Sequence, residues 1–427
     1  MEIKKLHQYF LECQSFSTDT RKIEKNSMFF ALKGESFDAN TLTEEALEKG
    51  AKYVVIDNKD FFIENKTIIV NDVLETLQKL ATFHRDDLGL PVIALTGSNG
   101  KTTTKELIHV VLSKKFNTKA TVGNLNNHIG VPLTLLSFTK ETEIGIVEMG
   151  ANHQKEIEFL CAIAKPDYGY ITNFGKAHLE GFGGVEGVIK GKSEMFTYLF
   201  ENNKLVFINS DDEIQKNKTH NYPSIYSFST TDKNADVFIN NVTANPFVEI
   251  STSEVNIKSN LIGLYNASNI IAAITIGNYF KVPLEDIKTA IESYVPENNR
   301  SQLLKKGSNE IILDAYNANP SSMMVALENF LQLEKERKLI IIGDMYELGE
   351  ESLKEHKAIV NYLTDKNIPT YFIGKDFYSN LIENDAFHFF ATFDALAQYL
   401  KINKPENQTI LIKGSRGMAL ERTLELL

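Results

Sequence analysis

The chain has 427 residues, 43% of them hydrophobic and 24% charged, with a formal net charge of -11 at pH 7. This composition is typical of a soluble globular protein, and the length predicts two to four domains. The acidic balance argues against a nucleic-acid-binding protein, which normally presents a basic face. Two distant cysteines, no apolar leader and no apolar run near the ~18 residues of a membrane span lead us to expect a cytoplasmic protein without a membrane span. We also expect a monomer.

Residues 1–88 are predicted to form a small α/β domain. Two polar stretches in it, residues 17–21 and 33–40, have the composition of solvated turns. The predicted strands are Phe29–Leu32, Tyr53–Ile56 and Thr67–Val70, and the predicted helices are Thr43–Lys49 and Leu74–Leu88.

A phosphate-binding loop is predicted directly after the apolar run Val92–Leu95, which is typical of a strand buried on both faces. Gly97 and Gly100 permit a turn that brings backbone N–H groups close to a polyanion. Lys101 supplies positive charge and Thr102 a hydroxyl for Mg²⁺, at the start of a predicted helix. The glycines are closer together than in the usual pattern, so an ordinary strand-to-helix turn is the alternative. We expect ATP at this loop.

The loop opens a second predicted domain, residues 89–297, in which strands and helices alternate around a mostly parallel sheet with helices on both faces. A small antiparallel patch is expected before a long helix. The predicted strands are Gly145–Glu148, Tyr168–Thr172 and Leu205–Ile208, the patch comprises Val237–Ile239, Val248–Ile250 and Val255–Ile257, and the helix is Asn266–Phe280.

Three side chains in this domain could carry chemistry. Glu148 ends a buried strand, where a metal or a paired lysine would compensate its charge. His178 follows a strand in a glycine-rich loop and could be a ligand or a surface residue. Lys192 lies in a helical-looking segment and, taken alone, has the pattern of a solvated lysine. Asn266 and Asn269 could be a helix cap and a first-turn polar residue.

Residues 298–427 are predicted to form a third domain with a dinucleotide-fold-like alternation but no GxGxxG motif. Pro296–Arg300 is a candidate hinge before it. The predicted strands are Ile311–Leu313, Leu339–Ile342, Tyr371–Ile373 and Ile410–Ile412, and the predicted helices are Ser321–Leu333, Ser352–Leu363, Leu396–Leu400 and Met418–Leu426.

Seven segments, in this order, make the chain resemble the Mur ligase family, specifically its MurF type. Four of the segments lie in the second predicted domain and three in the third, and the polar stretches 17–21 and 33–40 of the first domain resemble the UDP-binding turns of the family. The segments are Thr96–Thr102, Gly123–Pro132, Glu148–His153, Ala177–Gly183, Asp314–Pro320, Gly343–Gly349 and Lys413–Arg416.

The resemblance implies an ATP site with two Mg²⁺ ions. Lys101, Glu148, His178 and Lys192 would be catalytic. Thr102, Glu148, His178 and Lys192 would hold metal, with Lys192 as a carbamate formed from CO₂; Lys190 is the competing candidate for that group. The implied ATP-binding residues are Gly97, Ser98, Asn99, Gly100, Lys101, Thr102, Thr103, Asn266, Asn269, Arg300 and Asp314.

The resemblance also implies the other substrates, UDP-N-acetylmuramoyl-tripeptide and D-alanyl-D-alanine. Residues 1–88 would bind the UDP-muramoyl peptide, 89–297 would be the ATPase domain, and 298–427 would bind the incoming dipeptide. The implied substrate-binding residues are Ser17, Thr18, Arg21, Lys33, Gly34, Asn126, Asn127, Asn317, Asn319, Lys413, Ser415 and Arg416.

The implied reaction is ATP-dependent peptide-bond formation through an acyl phosphate. A sister ligase that adds a diamino acid and a folylpolyglutamate-type ligase are the alternatives within this chemistry. A nucleotide-binding regulator without catalysis is the alternative from another class; retention of Lys101, Glu148, His178 and Lys192 argues against it.

Overall fold

The computed structural model describes residues 1–296 and 299–427. The chain forms two compact units, the first comprising Met1–Ala94, Asn117–Met149 and Glu158–Asp167 and the second Leu95–Phe116, Gly150–Ile157 and Tyr168–Leu427. Each is mixed α/β, as expected. The domain boundaries at 88/89 and 297/298 stay a prediction, and residues 297 and 298 lie outside the described residues.

The first unit begins with a four-stranded parallel sheet in the order β1-β2-β3-β4. The predicted strands and helices are present within a few residues, whereas α1 and the short β1 were not predicted. The elements are α1 (Ile3–Leu11), β1 (Ser15–Ser17), β2 (Ser27–Phe30), α2 (Thr43–Glu48), β3 (Ala51–Ile56), β4 (Thr67–Ile69) and α3 (Val73–Leu88).

The next elements include the predicted loop strand and helix. Within the first unit, β7 lies between β5 and β6, and β6 and β7 are parallel. The strand β5 is completely buried, as its apolar sequence predicts. The elements are β5 (Val92–Thr96), α4 (Lys101–Leu112), β6 (Thr118–Ala120), α5 (Gly130–Leu136), β7 (Ile144–Glu148) and α6 (Glu156–Ala164).

In the second unit, the strands that follow β5 in the sheet are β8, β9, β10 and β11, and the pairs from β8 to β11 are parallel. A separate antiparallel sheet has the order β12-β13-β14. The elements are β8 (Tyr168–Ile171), α7 (Leu179–Phe182), α8 (Val185–Glu201), β9 (Leu205–Asn209), α9 (Glu213–Thr219), β10 (Ile225–Ser229), β11 (Val237–Phe238), β12 (Asn241–Ala244), β13 (Phe247–Ser251), β14 (Asn256–Ile262), α10 (Ala267–Tyr279) and α11 (Leu284–Ser293).

The prediction that Val237–Ile239 belongs to the antiparallel patch is wrong. Val237 is paired in parallel with Phe228, so it extends the larger sheet. The first strand of the patch is β12, whose side chains alternate between exposed and half-buried positions. The strand β12 was not predicted, because its Asn241 and Thr243 are polar and the apolar run that begins at Val237 gives a stronger strand signal.

The remaining sheet of the second unit has six strands in the order β15-β16-β20-β17-β18-β19, antiparallel only between β15 and β16. The elements are β15 (Gln302–Lys306), β16 (Asn309–Asp314), α12 (Pro320–Gln332), β17 (Lys338–Gly343), α13 (Ser352–Thr364), β18 (Thr370–Ile373), α14 (Lys375–Tyr378), β19 (Phe387–Phe390), α15 (Phe393–Ile402) and β20 (Thr409–Lys413).

The predicted helix Met418–Leu426 is wrong. The segment forms two 3₁₀ helices, Arg416–Met418 and Leu420–Glu425. Ala419 between them is left-handed, with φ 47° and ψ 48°, and this conformation interrupts the α-helical hydrogen-bond pattern. The break lets the buried Leu420 pack beside Gly343. In the described part of the chain, none of the helices combines the length and apolarity needed to cross a bilayer.

Candidate functional site: a phosphate loop and its surroundings

The loop after β5 is packed so closely that its two glycines are required. Gly97 has φ +140°, and a Cβ there would lie 2.0 Å from Thr172 Oγ1. Gly100 has φ +81°, and a Cβ would lie 2.5 Å from Asn269 Oδ1. Any larger residue would therefore meet both backbone strain and a steric clash. With only two residues between the glycines, the loop forms a compact turn against the end of β8.

Residues at the end of β8 hold the loop in place. The Ser98 hydroxyl donates to the Gly175 carbonyl at 2.6 Å, and the Asn99 N–H donates to Asn173 Oδ1 at 3.1 Å. The Thr172 hydroxyl donates in turn to the Asn99 carbonyl at 2.6 Å. These hydrogen bonds preorganise the loop, because they join the Ser98 side chain and the Asn99 backbone to residues at the end of β8.

The helix α4 begins at Lys101, directly after the left-handed Gly100, and no side chain caps its N-terminus. The first N–H groups of a helix lack intrahelical acceptors and favour anions. Lys101 Nζ donates to the Gly97 carbonyl at 2.7 Å, so the cation lies over the loop. Thr102 and Thr103 are buried beside it. Together these groups form a cradle that suits a polyphosphate.

Asn266 and Asn269 form a buried network behind the loop. Asn269 Oδ1 accepts a hydrogen bond from the Thr104 hydroxyl at 3.0 Å, and its Nδ2 donates to Asn266 Oδ1 at 3.0 Å. Asn266 Nδ2 donates to the Ile262 carbonyl at 2.8 Å. The pair thus connects α10 to α4, and its predicted contact with adenine stays a prediction.

Lys192 is buried in α8, with 1% of its surface exposed, whereas Lys190 is exposed. Its Nζ donates to the Ala151 carbonyl at 3.0 Å and lies 4.9 Å from the centre of the Phe182 ring. Burial, with the charge of Lys101, holds the pKa of Lys192 well below its usual range. The lysine was expected from its pattern alone to be solvated, and that expectation is wrong.

His178 is left-handed, with φ 52°, immediately before α7. Its Nδ1 contacts the Glu347 carboxylate, from the segment between β17 and α13. Burial is the main cause that lowers the pKa of His178, and Lys101 and Lys192 act in the same direction. These effects favour the neutral ring, whereas the charge of Glu347 favours the protonated ring.

Glu148 ends β7 in the first unit and is 1% exposed. Its Oε1 accepts a hydrogen bond from Asn126 Nδ2 at 2.8 Å, and its N–H donates to the Thr121 hydroxyl at 2.9 Å. Its buried Oε2 has no hydrogen-bond partner among the described residues. A buried carboxylate oxygen without a donor is costly, and a cation would compensate it.

The donor set fits Mg²⁺, although no group of three or more His, Cys, Asp and Glu side chains in the described ranges forms a complete metal cluster. Mg²⁺ commonly takes one or two protein ligands and completes its shell with phosphates and water. The unpaired oxygen of Glu148 matches that requirement. The predicted convergence of Glu148 with Lys101, His178 and Lys192 stays a prediction.

Asp314 and Lys413 form a pair at the carboxyl ends of β16 and β20. Lys413 Nζ donates to Asp314 Oδ2 at 2.6 Å and to the Asn317 carbonyl at 3.3 Å. Asp314 Oδ1 also accepts the Ser301 N–H at 3.2 Å. Lys413 is 2% exposed, so this pair is part of the scaffold of the sheet edge.

Two arginines face one tyrosine nearby. The Arg300 guanidinium lies 3.7 Å from the centre of the Tyr316 ring, and that of Arg416 lies 5.9 Å from it. Arg300 Nε is buried with no hydrogen-bond partner in the described part of the chain. Arg416 is exposed and pairs with Glu421 at 2.8 Å. The arrangement concentrates positive charge beside Tyr316.

Asn319 and Ser415 join this edge to neighbouring elements. Asn319 caps α12 by accepting the Ser322 N–H at 2.9 Å, while its Nδ2 donates to Asn99 Oδ1 in the phosphate loop at 2.7 Å. The Ser415 hydroxyl accepts the Tyr346 N–H at 2.8 Å. The start of α12 therefore contacts the phosphate loop directly.

The remaining predicted substrate residues lie in the first unit. The hydroxyl of Ser17, which precedes Thr18, donates to the Asp19 carbonyl at 2.8 Å. Arg21 pairs with Asp19 at 2.8 Å and lowers the pKa of that carboxyl to about 2. Because 85% of the Arg21 side chain is exposed, it is accessible to an anionic ligand.

The second polar turn is also organised by short contacts. Lys33 Nζ pairs with Asp57 at 2.7 Å, and the Gly34 N–H donates to the Phe37 carbonyl at 2.8 Å. Asn127 Oδ1 accepts the Gly130 N–H at 2.9 Å, at the start of α5. Ligand contacts of these residues stay predictions.

Comparison with known proteins identifies two domains of one family in this chain. The Mur ligase middle domain matches residues 95–277, and the Mur ligase glutamate ligase domain matches residues 299–416. The chain belongs to the Mur ligase family. A relative from Buchnera aphidicola subsp. Baizongia pistaciae, named UDP-N-acetylmuramoyl-tripeptide--D-alanyl-D-alanine ligase, is 37% identical over 98% of this chain and 93% of its own.

Solved Mur ligase structures extend the likeness to the whole chain. A MurF crystal structure from Acinetobacter baumannii is similar with a TM-score of 0.87 at 30% identity, covering 99% of this chain and 97% of that one. A MurF ligase from Thermotoga maritima in complex with ADP is similar with a TM-score of 0.83 at 26% identity, covering 98% and 97%. The expected family and fold class are confirmed.

Several residues around this Mur ligase site were missed by sequence reasoning. Thr172 gives no local signal, because a threonine at the end of a strand is common, whereas Tyr316 lies inside the resembling segment Asp314–Pro320. Glu347 lies inside the quoted segment Gly343–Gly349, which could have drawn attention to it. Lys176, which pairs with Glu355 at 2.7 Å, could be found only from the fold.

Proposed function

We propose that this chain is the ATP-dependent ligase that joins D-alanyl-D-alanine to UDP-N-acetylmuramoyl-tripeptide in peptidoglycan precursor synthesis. The observation that carries the proposal is near-full-length similarity to ligases of that name, together with an intact phosphate loop. Cys13 and Cys161 are reduced thiols, which fits the cytoplasmic location that we propose. The three predicted ranges 1–88, 89–297 and 298–427 would bind the nucleotide peptide, ATP and the dipeptide, respectively.

In the first step, the terminal carboxylate of the tripeptide attacks the γ phosphate of ATP and releases ADP. The product is an acyl phosphate. Lys101 and the N-terminus of α4 hold the phosphates and stabilise the charge that develops on their oxygens. Arg300 adds a guanidinium from the edge of the six-stranded sheet. No side chain of the enzyme acts as a nucleophile.

Two Mg²⁺ ions would be held by Thr102, Glu148, His178 and Lys192, and they would neutralise phosphate charge when bound. Lys192 would act as a carbamate, because an ammonium cannot ligate a cation. Carbamate formation joins the neutral Nζ to the carbon of CO₂ and releases one proton. The depressed pKa of Lys192 supports this role, since it supplies the neutral amine that the reaction requires.

In the second step, the amine of D-alanyl-D-alanine attacks the acyl carbon. The tetrahedral adduct collapses with loss of phosphate, and the amide forms. Arg416, which is exposed, would contact the dipeptide, and the buried Lys413 and Ser415 would hold this edge of the sheet, with Asn317 and Asn319 beside them. Exclusion of water protects the acyl phosphate from hydrolysis until the amine arrives.

The acceptor is tested by phosphate release. The purified protein is incubated with UDP-muramoyl tripeptide, ATP and Mg²⁺, with either D-alanyl-D-alanine or a free diamino acid as the acceptor. We expect release only with the dipeptide, and mass spectrometry should find the pentapeptide product. A second assay uses UDP-muramoyl dipeptide as the donor and the diamino acid as the acceptor. Phosphate release in the second assay, without release in the first, would instead identify the sister ligase.

A further inference from the structure

The loop that carries His178 is held by the segment between β17 and the first turns of α13. Lys176 Nζ pairs with the Glu355 carboxylate at 2.7 Å, and the Glu355 side chain is only 10% exposed. The Glu180 N–H approaches the Glu347 carbonyl at 3.5 Å. A Cβ on Gly349 would lie 3.1 Å from the Glu180 side chain. The two segments therefore meet through both side chains and backbone.

Within this contact, the Glu347 carboxylate meets His178 Nδ1. A carboxylate can only accept a hydrogen bond, and a neutral imidazole carries its single proton on one nitrogen. The proton must then lie on Nδ1, which leaves the lone pair on Nε2. No hydrogen bond to Nε2 occurs among the described residues, so that lone pair is available to a cation.

We propose that Glu347 is a positioning residue, which orients the His178 ring and holds it as the Nδ1–H tautomer so that Nε2 can ligate Mg²⁺. The inference rests on the metal role given to His178 in the proposed function. A carboxylate behind a ligating histidine fixes the ring and raises the basicity of the ligand. Glu347 thereby contributes to metal affinity without touching the metal.

The tautomer can be measured without metal, nucleotide or turnover. Full-length protein labelled with ¹⁵N at histidine is examined by long-range ¹H–¹⁵N correlation NMR, and the His178 signals are assigned by their absence in His178→Gln. We expect the Nδ1–H form in the unchanged protein and in Glu350→Gln, a matched control with an exposed glutamate on the same segment. In Glu347→Ala we expect a shift toward the Nε2–H form.

Mg²⁺ dependence provides the second readout. In Glu347→Ala, the Mg²⁺ concentration for half-maximal ligase activity should rise about 10-fold, the lower end of the effects seen for such supporting groups. The rate at saturating Mg²⁺ should change little. Glu347→Gln keeps an acceptor oxygen but no charge. Its Mg²⁺ concentration for half-maximal activity should lie between those of the unchanged protein and Glu347→Ala. An unchanged melting temperature shows that each variant is folded.

An unchanged tautomer in folded Glu347→Ala would overturn the proposal. Other results would contradict the proposed function. Absence of ligation by the unchanged protein would contradict the ligase activity, and an unchanged Mg²⁺ requirement in His178→Gln would contradict the metal role of His178. Because the tautomer is read in metal-free protein, the outcome for Glu347 is separate from both.

Discussion

At the residue scale, the candidate site depends on burial that a linear pattern does not reveal. Lys190 and Lys192 are two positions apart in the same helix, yet one is exposed and the other is enclosed. Gly191 between them explains part of the difference, since a Cβ there would lie 2.5 Å from the Phe182 ring. The absent side chain lets Phe182 cover Lys192. Family resemblance, and not periodicity, selected the lysine that is buried.

Substitution of Lys192 tests its role directly. Lys192→Ala should reduce ligase activity by at least about 100-fold, as expected for loss of a group that stabilises transition-state charge. Millimolar formate or acetate should restore part of the rate by supplying the missing carboxylate. Lys190→Ala is the matched control and should retain activity. Full activity in Lys192→Ala would remove the carbamate from the mechanism.

At the element scale, apolar runs located most strands, whereas strands with polar or mixed sequences escaped prediction. The strand β5 was found because it is apolar throughout and buried. The strand β12 was missed because it is half-exposed, and the last predicted helix failed at left-handed Ala419. Both errors arise from tertiary packing, which sets the backbone conformation against a weak local preference.

Packing of α1 on α3 creates a pH-sensitive contact. His84 Nε2 lies 2.9 Å from the Phe138 carbonyl and must donate to it, so His84 Nδ1 accepts from His7 Nε2, also at 2.9 Å. Burial lowers the pKa of both rings, although Asp87 opposes the shift. Folding therefore favours the neutral form of both histidines.

This contact should make stability depend on pH. An unfolded histidine titrates near ~6.5, so below that pH the unfolded chain binds more protons and stability falls. Above it the contribution is fully present. We expect the urea midpoint to drop between pH 7.5 and pH 5.5, and to drop less in His84→Gln. His220→Gln changes an exposed histidine and should leave the slope as it is; equal slopes in all three proteins would contradict the expectation.

At the scale of the whole molecule, the order of the seven resembling segments predicted the family and fold class. What could not be predicted is how distant segments meet. The contact between Asn99 and Asn319 joins residues 220 positions apart, and that between Lys176 and Glu355 joins residues 179 apart. Such pairs have no local signature, because they exist only once both sheets have formed.

Nucleotide binding should stabilise the folded chain as a whole. A ligand at 100 times its Kd adds about 2.7 kcal/mol to the free energy of unfolding of the form that binds it. MgATP should therefore raise the melting temperature measured by scanning calorimetry. Lys101→Ala should lose most of this increase, whereas Lys114→Ala, at an exposed position in the turn after α4, should keep it. An equal increase in both variants would exclude Lys101 from the nucleotide site.

The stacking of Arg300 on Tyr316 offers an optical view of the site. The sequence contains no tryptophan, so Tyr316→Trp would place the only indole of the protein beneath that guanidinium. Its emission could be excited selectively at the red edge of the protein absorption. A change in intensity on addition of MgATP would then report movement of one cation relative to one ring, in real time and without an attached dye.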